Sequence, residues 1–420
     1  MIEKVSLFTK KRDFFTFICL SLFILTFSLL IEYQNYKNLS RFDSNIINAT
    51  VIKQYIKTKN SKTYQVLKLK SEDGTTIYTS AKESFQNVKG KEIELKIYAG
   101  KKSFYEYLTS FYAFSKISYV YQQESLKEKV NAHISKSHAD KDIASIYQAL
   151  YTATPLEKHL HPIFSALGVS HLLAISGFHL GVLSGVLFFL IKYPYKSLQN
   201  RYFPYRSEKV DSFILISVVL FAYLLFLDSP PSLVRAFGML IIGFYLYDRG
   251  FKILSMQTLL LTIILLIAFF PRLIFALGFW LSVSGVFYIF LFLIHFKDLS
   301  KLWQFILVPF WVYFLMLPYS LAIFETFSIY HPLSIIWTSL FTLFYPLSIV
   351  LHIIGFADLF DKILESLIKL ADNIITVPLE FEWLALHILL SLTAIYFKKS
   401  LWILLLLSIS FFIYAINHVT

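Results

Sequence analysis

The stretch HLLAISGFHLGVL, residues His171–Leu183, places two histidines, a serine and two glycines inside an apolar run that extends over Ser170–Ile191. The run is long enough to cross a bilayer, which needs about 20 apolar residues per helix. Lipid offers no hydrogen-bond partner, so these polar side chains must face a helix bundle or a water-filled cavity. The stretch therefore predicts one helix of a polytopic membrane protein.

The composition of the whole chain agrees with this prediction. Of its 420 residues, 56% are hydrophobic, 18% are aromatic and 16% are charged, and the mean hydropathy is +0.61. These values exclude an ordinary soluble globular protein. We predict about ten apolar helices. They cover Phe14–Ile31, Ser170–Ile191, Ser212–Leu227, Ser232–Tyr247, Ile253–Phe270, Leu273–Phe296, Trp303–Phe324, Pro332–Gly355, Glu382–Phe397 and Leu401–Ile416.

Positive charge indicates the side of the membrane. Lys10, Lys11 and Arg12 precede the first span, and the loop Lys192–Asp211 is also basic. Basic loops remain in the cytoplasm, so we expect a cytoplasmic N-terminus and an external polar region after the first span. The one cysteine, Cys19, excludes an intramolecular disulfide.

The polar region predicts a small external β-domain over residues 32–101. Four segments alternate polar and apolar residues as half-buried strands do, and Asp73-Gly74 is a turn between the second and the third. This spacing fits a small barrel such as an OB-fold, or an open meander. The other expected parts are a tail and first helix (1–31), interfacial and polar helices (102–169) and the membrane domain (170–420). The four segments are Asn48–Ile56, Thr63–Lys70, Thr75–Ser80 and Lys91–Ile97.

The charge of the external region suits a polyanion or an anionic membrane surface. The chain has a net charge of +12, and residues 32–158 hold 20 Lys and Arg against 13 Asp and Glu. Plain solubility is the alternative explanation.

Within the opening stretch, Gly177, Gly181 and Gly185 recur every four residues on one helix face, a pattern that permits close helix packing. The polar residues His171, Ser176 and His179 need another explanation. Either they line a functional passage or they bond carbonyl groups of neighbouring helices.

A second polar stretch, DSPPSLVRAFGM, joins two apolar runs over Asp228–Met239. We expect Ser229 to cap a new helix that starts at Pro230. The positive helix end, with Ser232 in its first turn and Arg235 a turn later, predicts an anion site. The alternative is a capped hairpin in which Arg235 pairs with Asp228 or reaches the membrane surface.

GVSHLLAISGFHLGVLSGVLFFL (168–190) resembles the signature of the ComEC competence family, G-x-x-HLLAISG-[LF]-H-[VL]-G. The block SPPSLVRA (229–236) resembles the family's S-P-S-x-x-R-A block. GFWLS (278–282) is similar to G-F-Q-L-S, with Trp280 in place of the usual Gln. PLSIIWT (332–338) has Thr338 where an Asn is usual.

The resemblance implies a channel in the bacterial inner membrane that passes single-stranded DNA into the cytoplasm, with a periplasmic OB-like domain after the first span. It implies a periplasmic DNA-binding competence protein and a cytoplasmic motor or strand-binding protein as partners. Membrane lipid and a second copy of the chain are further candidate partners. The path candidates are His171, Ser176, His179, Asp228, Ser229, Ser232 and Arg235.

We expect no enzyme activity, metal or cofactor. The chain has no G-x-x-x-x-G-K-[ST] loop. Many family members end in a metallo-β-lactamase-like domain, but the H-x-H at His159–His161 lacks the further Asp-His of a two-metal site. We therefore expect a short form without a nuclease domain.

Two other functions remain open from the sequence. One is a small-solute or proton-coupled transporter, for which the chain shows no inverted repeat of broken helices. The other is an intramembrane hydrolase with Ser176 as nucleophile, His179 as base and Asp228 as orienting residue, because residues three apart on a helix can touch.

Overall fold

Two units make up the chain in the computed structural model, which describes residues 10–41, 44–59, 62–98, 100, 102–121, 126–251, 254–371 and 374–419. The sheet unit comprises Phe8–His133 with Ile263–Ala276, and the helical unit contains Ile134–Thr262 and Leu277–Thr420. Most of the expected N-terminal tail, residues 1–9, lies outside the described residues.

The sheet unit begins with a long apolar helix, α1 (Lys11–Ser40). Its 30 residues span about 45 Å at 1.5 Å per residue, which exceeds the ~30 Å hydrocarbon core. The helix ends at Ser40, beyond the predicted end of the span at Ile31. Its last turns pack Leu29, Tyr36 and Leu39 against the buried core of the sheet.

The four predicted strands are present. They are β1 (Asn45–Lys59), β2 (Lys62–Ser71), β3 (Thr76–Lys82) and β4 (Glu92–Tyr98). Their apolar residues alternate into one core, as Leu67 and Leu69 of β2 show at 0% exposure. The predicted turn is confirmed, because Gly74 adopts φ +82° and the Asp73 carboxylate accepts the Thr75 amide at 3.0 Å.

The sheet does not end at residue 101 as predicted. After a short helix α2 (Phe104–Thr109), the chain forms β5 (Phe111–Tyr112) and β6 (Phe114–Val120). The interfacial helix expected there is wrong for residues 111–120, because successive residues alternate between core and surface, with Phe111 and Ala113 buried and Tyr112 and Phe114 exposed. The strand order is β5-β3-β2-β1-β4-β6, with β5 parallel to β3 and β6 antiparallel to β4. The continuous segment 111–120 therefore pairs with both β3 and β4, at the two edges of the four-stranded part.

Arg272 connects the later segment of the sheet unit, Ile263–Ala276, to α1 and to the sheet. It lies in a 3-10 turn, Pro271–Phe275, and donates to both carboxylate oxygens of Glu32 on α1 at 2.8 and 2.9 Å. It also donates to the Thr75 hydroxyl at 3.0 Å and covers the Tyr107 ring. The sheet unit closes with α3 (Leu126–Ser137), whose last residues belong to the helical unit.

The helical unit consists mainly of apolar helices. Short elements connect them: two-residue strands at Thr326–Phe327 and Ile375–Thr376 pair with each other, and 3-10 turns occupy His331–Leu333 and Ala357–Phe360. The elements are α4 (Lys141–Thr152), α5 (Leu160–Ala166), α6 (Ser170–Leu173), α7 (Gly177–Tyr202), α8 (Glu208–Phe226), α9 (Pro231–Asp248), α10 (Met256–Phe269, shared with the sheet unit), α11 (Leu277–His295), α12 (Lys301–Phe324), β7 (Thr326–Phe327), α13 (Ser334–Ile354), α14 (Asp361–Lys369), β8 (Ile375–Thr376), α15 (Phe381–Thr393) and α16 (Lys398–Val419).

Seven helices among the described residues are long and apolar enough to cross a membrane. They are α1, α7, α8, α11, α12, α16 and the stretch His331–Ile354, which includes α13. The other predicted crossings fall on α9 and on two shorter apolar helices, α10 and α15. The short helix α14 is amphipathic, with Leu364 and Leu367 buried and Lys362 and Lys369 exposed. The chain is thus a mostly helical membrane protein with a small sheet.

Candidate functional site

The opening stretch does not form one continuous helix. Short α6 ends at Leu173, the backbone is extended at Ala174 and Ser176, and α7 begins only at Gly177. Ser176 caps α7 by accepting the Phe178 amide at 3.3 Å, while its own amide donates to His179 Nδ1 at 3.3 Å. The predicted span Ser170–Ile191 is wrong at its start because this reciprocal cap begins a new helix.

Gly168 leads into α6 in a conformation that favours glycine. Its φ is +70°, and a Cβ there would lie 2.8 Å from His331 Cε1. His331 is 4% exposed, and its Nδ1 bonds the Tyr313 hydroxyl at 2.9 Å. A side chain at residue 168 would displace this ring.

His171 lies in α6 and reaches α13. Its Nε2 is 3.2 Å from the Thr338 hydroxyl oxygen, in the first turns of that helix. The histidine ring is therefore held by a side-chain hydroxyl of another helix.

The start of α9 lies against the break between α6 and α7. Ser232 donates its hydroxyl to the Ile175 carbonyl at 2.6 Å. A Cβ on Gly177 would meet Ala236 Cβ at 3.3 Å, so the first turns of α7 and α9 approach closely. The Ile175 carbonyl precedes a helix start, and the Ser232 bond satisfies it.

Arg235 is buried beside a third helix start. It is 2% exposed, donates from Nη1 to the Gly278 carbonyl at 3.1 Å, and lies 5.7 Å from the centre of the Phe279 ring. Its Nε has no hydrogen-bond partner, and no ion pair joins Arg235 to an acid within the described part of the chain. The expected alternatives, pairing with Asp228 or reaching the membrane surface, therefore do not describe Arg235 in this structure.

The comparisons with known proteins address the segment that holds this site. The family model described as Competence protein matches residues 153–419, which is more than half of the chain. The chain belongs to the competence protein family. No curated protein and no solved structure matches it.

The four sequence blocks that resemble the competence family signature meet in the helical unit. HLLAISGFH forms the helix break, SPPSLVRA begins α9, GFWLS begins α11, and PLSIIWT begins α13. Ser232 joins the second block to the first, and Arg235 joins the second block to the third. His171 joins the first block to the fourth. The competence family blocks are therefore helix starts that face one another.

The structure places Asp228 and Ser229 at the end of α8. Both have positive φ, +60° and +51°, and their amides close the last turn of α8 through Leu225 and Leu224 carbonyls at 3.0 Å. The expectation that Ser229 caps α9 is wrong, because Pro230 occupies the cap position and Pro231 is the first helical residue. Two left-handed residues in sequence make the connection tight.

The three spaced glycines of α7 differ in their surroundings. Gly177 packs against α9, whereas a Cβ on Gly181 or Gly185 would meet no atom within 4 Å. Of the three glycines, Gly177 is therefore the one at which another helix, α9, approaches α7 closely.

His179 is fully buried at the same break. Its ring lies 5.0 Å from that of Phe341 and 4.9 Å from that of Tyr345, and its Nε2 has no partner. The Ser176 hydroxyl lies 3.3 Å from Nδ1. No carboxylate bonds the His179 ring within the described residues, so the pair lacks the orienting acid of a catalytic triad. Within the described residues, no group of three His, Cys, Asp or Glu could hold a metal ion.

Sequence reasoning missed His331, Tyr313 and the Gly278 carbonyl. A signal for His331 was available, since it directly precedes the PLSIIWT block. The Gly278 carbonyl had no side-chain signal, because a backbone acceptor does not depend on residue type.

Proposed function

We propose that this competence-family chain passes single-stranded DNA from the periplasm to the cytoplasm across the bacterial inner membrane during natural transformation. In this proposal the N-terminus is cytoplasmic and the sheet unit is periplasmic. The observation that carries it is Arg235, a buried guanidinium without a carboxylate partner in a competence family block.

The surroundings of Arg235 favour an anion. Helix α11 begins beside it, and the start of α7 packs against Ser232 and Ala236 in the same turns of α9. Each helix start carries roughly half a positive charge. Burying an unpaired ion costs several kcal/mol. Ionisable residues inside a membrane that are retained at such a cost usually serve transport or recognition. A DNA phosphate would supply the missing negative charge.

Arg235 is closed to solvent in the described conformation, so phosphate contact requires the helix starts to separate. In the proposal His171, Ser176, His179 and Ser232 shape the passage around Arg235, with Asp228 and Ser229 at the tight turn before α9. Removal of the Ser232 bond to Ile175 would open α9 from the break.

The sheet unit offers a basic and aromatic face for the incoming strand. Side chains that share one face of β1, β2 and β3 form the rows Lys53, Lys68, Tyr78 and Lys57, Tyr64, Lys82. Lys68 also lies over the Tyr78 ring. Phosphates favour lysine, and bases stack on tyrosine, so this face suits single-stranded DNA. The strand order, with residues 111–120 pairing to both β3 and β4, supports an OB-like barrel.

The proposal needs partners that supply force and DNA. No nucleotide-binding loop occurs in the sequence, so a cytoplasmic motor or strand-binding protein would draw the strand inward. A periplasmic DNA-binding competence protein would deliver it. Neither the hydrolase nor the small-solute transporter is favoured, because no carboxylate of the described residues orients His179 and the family is one of competence proteins.

The test compares Arg235→Met with Arg249→Met, which removes an exposed arginine at the other end of α9. The substitution removes the bond to the Gly278 carbonyl, worth about 1 kcal/mol, but it also removes the larger cost of burying an unpaired charge. We therefore expect Arg235→Met to keep its membrane level and thermal stability while transformation falls roughly 100-fold or more, the equivalent of about 3 kcal/mol.

Arg249→Met should transform normally. A stable Arg235→Met protein with normal transformation would remove Arg235 from the DNA path. A fall in transformation that parallels a loss of folded protein would instead make Arg235 a structural residue.

A further inference from the structure

A second buried polar group of the helical unit lies apart from the competence family blocks. His138 precedes α4, His352 lies near the end of α13, and Asp361 is the first residue of α14. His138 Nδ1 is 2.9 Å from both carboxylate oxygens of Asp361, and its Nε2 is 3.0 Å from His352 Nε2. His138 thus joins the segment before α4 to α13 and α14, which lie 214 and 223 residues further along the chain at His352 and Asp361.

The contacts determine how many hydrogens the two rings carry. His352 Nδ1 lies 2.7 Å from the Ser348 carbonyl, which only accepts, so this nitrogen bears a hydrogen. His138 Nδ1 faces a carboxylate and bears a hydrogen for the same reason. One further hydrogen must lie between the two Nε2 atoms, which otherwise face each other with two lone pairs. The rings then carry three hydrogens, whereas two neutral imidazoles carry two.

The third hydrogen gives the two rings one positive charge, and the surrounding side chains provide one negative charge that balances it. The His138 side chain is fully buried, and Asp361 is 15% exposed. Tyr147 of α4 stacks on His138 at 4.5 Å, and the Tyr151 hydroxyl lies 3.3 Å from His352 Nδ1. Burial raises the pKa of both phenols, and the Asp361 charge further raises that of Tyr147, so both stay neutral. Asp361 is therefore the anion of the group.

We propose that Asp361, His138 and His352 form a binding site for one proton, held between the two Nε2 atoms and balanced by the Asp361 carboxylate. The proton comes from solvent and no covalent bond other than N–H changes. Its loss leaves two lone pairs facing each other at 3.0 Å, and a second proton would set two N–H groups against each other. The bound proton thus connects the segment before α4 and the start of α14 to the end of α13.

The test is nitrogen NMR on the full chain labelled at its 11 histidines and reconstituted in lipid bilayers, titrated across the range in which histidine usually ionises, about pH 5–8. Spectra of His138→Gln and His352→Gln identify the two rings. We expect three N–H groups on the pair at the acidic end of the range, never four, and a nitrogen–nitrogen coupling across the shared hydrogen. Asp361→Asn should lose the third hydrogen under the same conditions.

The matched control is His159→Gln. His159 Nε2 also lies 2.9 Å from a carboxylate, that of Asp142, but this pair is exposed and contains one histidine. Its removal should leave the signals of the pair unchanged. Two rings that each keep one N–H throughout, or that each gain a second independently, would overturn the proposal. If a variant fails to fold, the wild-type coupling decides, because independent rings show none.

Discussion

Gly168→Ala tests the packing that leads into the helix break. Gly168 has φ +70°, a left-handed conformation that costs other residues about 1–2 kcal/mol. An added Cβ would also lie 2.8 Å from His331 Cε1 and 2.9 Å from Nε2. The histidine ring must shift, and its bond to the Tyr313 hydroxyl would stretch or break.

The expected loss of stability follows from these two effects. The ring displacement adds the cost of overpacking, about 1–3 kcal/mol, which includes the bond of about 1 kcal/mol to Tyr313. The total is roughly 2–5 kcal/mol of unfolding free energy.

Thermal unfolding of the purified protein in detergent provides the measurement. Gly250→Ala is the control for backbone strain, since Gly250 has φ +77° and open space around it. Gly181→Ala controls for the substitution itself, because Gly181 is helical with no atom within 4 Å of an added Cβ. We expect Gly168→Ala to be the least stable, Gly250→Ala intermediate, and Gly181→Ala unchanged or slightly stabilised. Equal stability of Gly168→Ala and Gly250→Ala would refute the contact with His331.

Three further predictions concern single side chains. Ser176→Ala should destabilise the protein by about 1 kcal/mol through loss of the α7 cap, whereas Ser184→Ala, which removes an exposed hydroxyl within the same helix, should change thermal unfolding little. Arg272→Met should destabilise the protein by about 1–3 kcal/mol, because Glu32 loses both its bonds; unchanged unfolding would contradict the ion pair. Although burial alone would raise the pKa of Asp73, bonds from Ser71, Thr75 and Tyr107 lower it, so its stabilisation should be lost as pH falls below about 4. An unfolding titration of Asp73→Asn should lack this acid dependence.

Local sequence signals predicted those elements whose cause is local. The alternation in β1–β4 and the Asp73-Gly74 turn needed only neighbouring residues, and all are present. The polar residues of His171–Leu183 also marked a special position. Their spacing suggested a helix interior, but Ser176 and His179 form a reciprocal cap, so the same signal marks a helix start.

The remaining features depend on contacts that are distant in the chain. Strand β6 exists because β4 provides a partner, and this pairing replaces the interfacial helix that was expected after residue 101. Arg235 and the Gly278 carbonyl are 43 residues apart, and His138 and Asp361 are 223 apart. No local pattern states that such residues meet.

The most direct test of DNA passage follows fluorescent DNA into the periplasm and the cytoplasm of cells that lack this chain, with transformation frequency measured in parallel. Complementation uses the wild type or Arg235→Met. We predict that the deletion still accumulates periplasmic DNA while cytoplasmic entry and transformation disappear, and that the wild type alone restores both. Cytoplasmic DNA entry that persists in the deletion would contradict the proposed function.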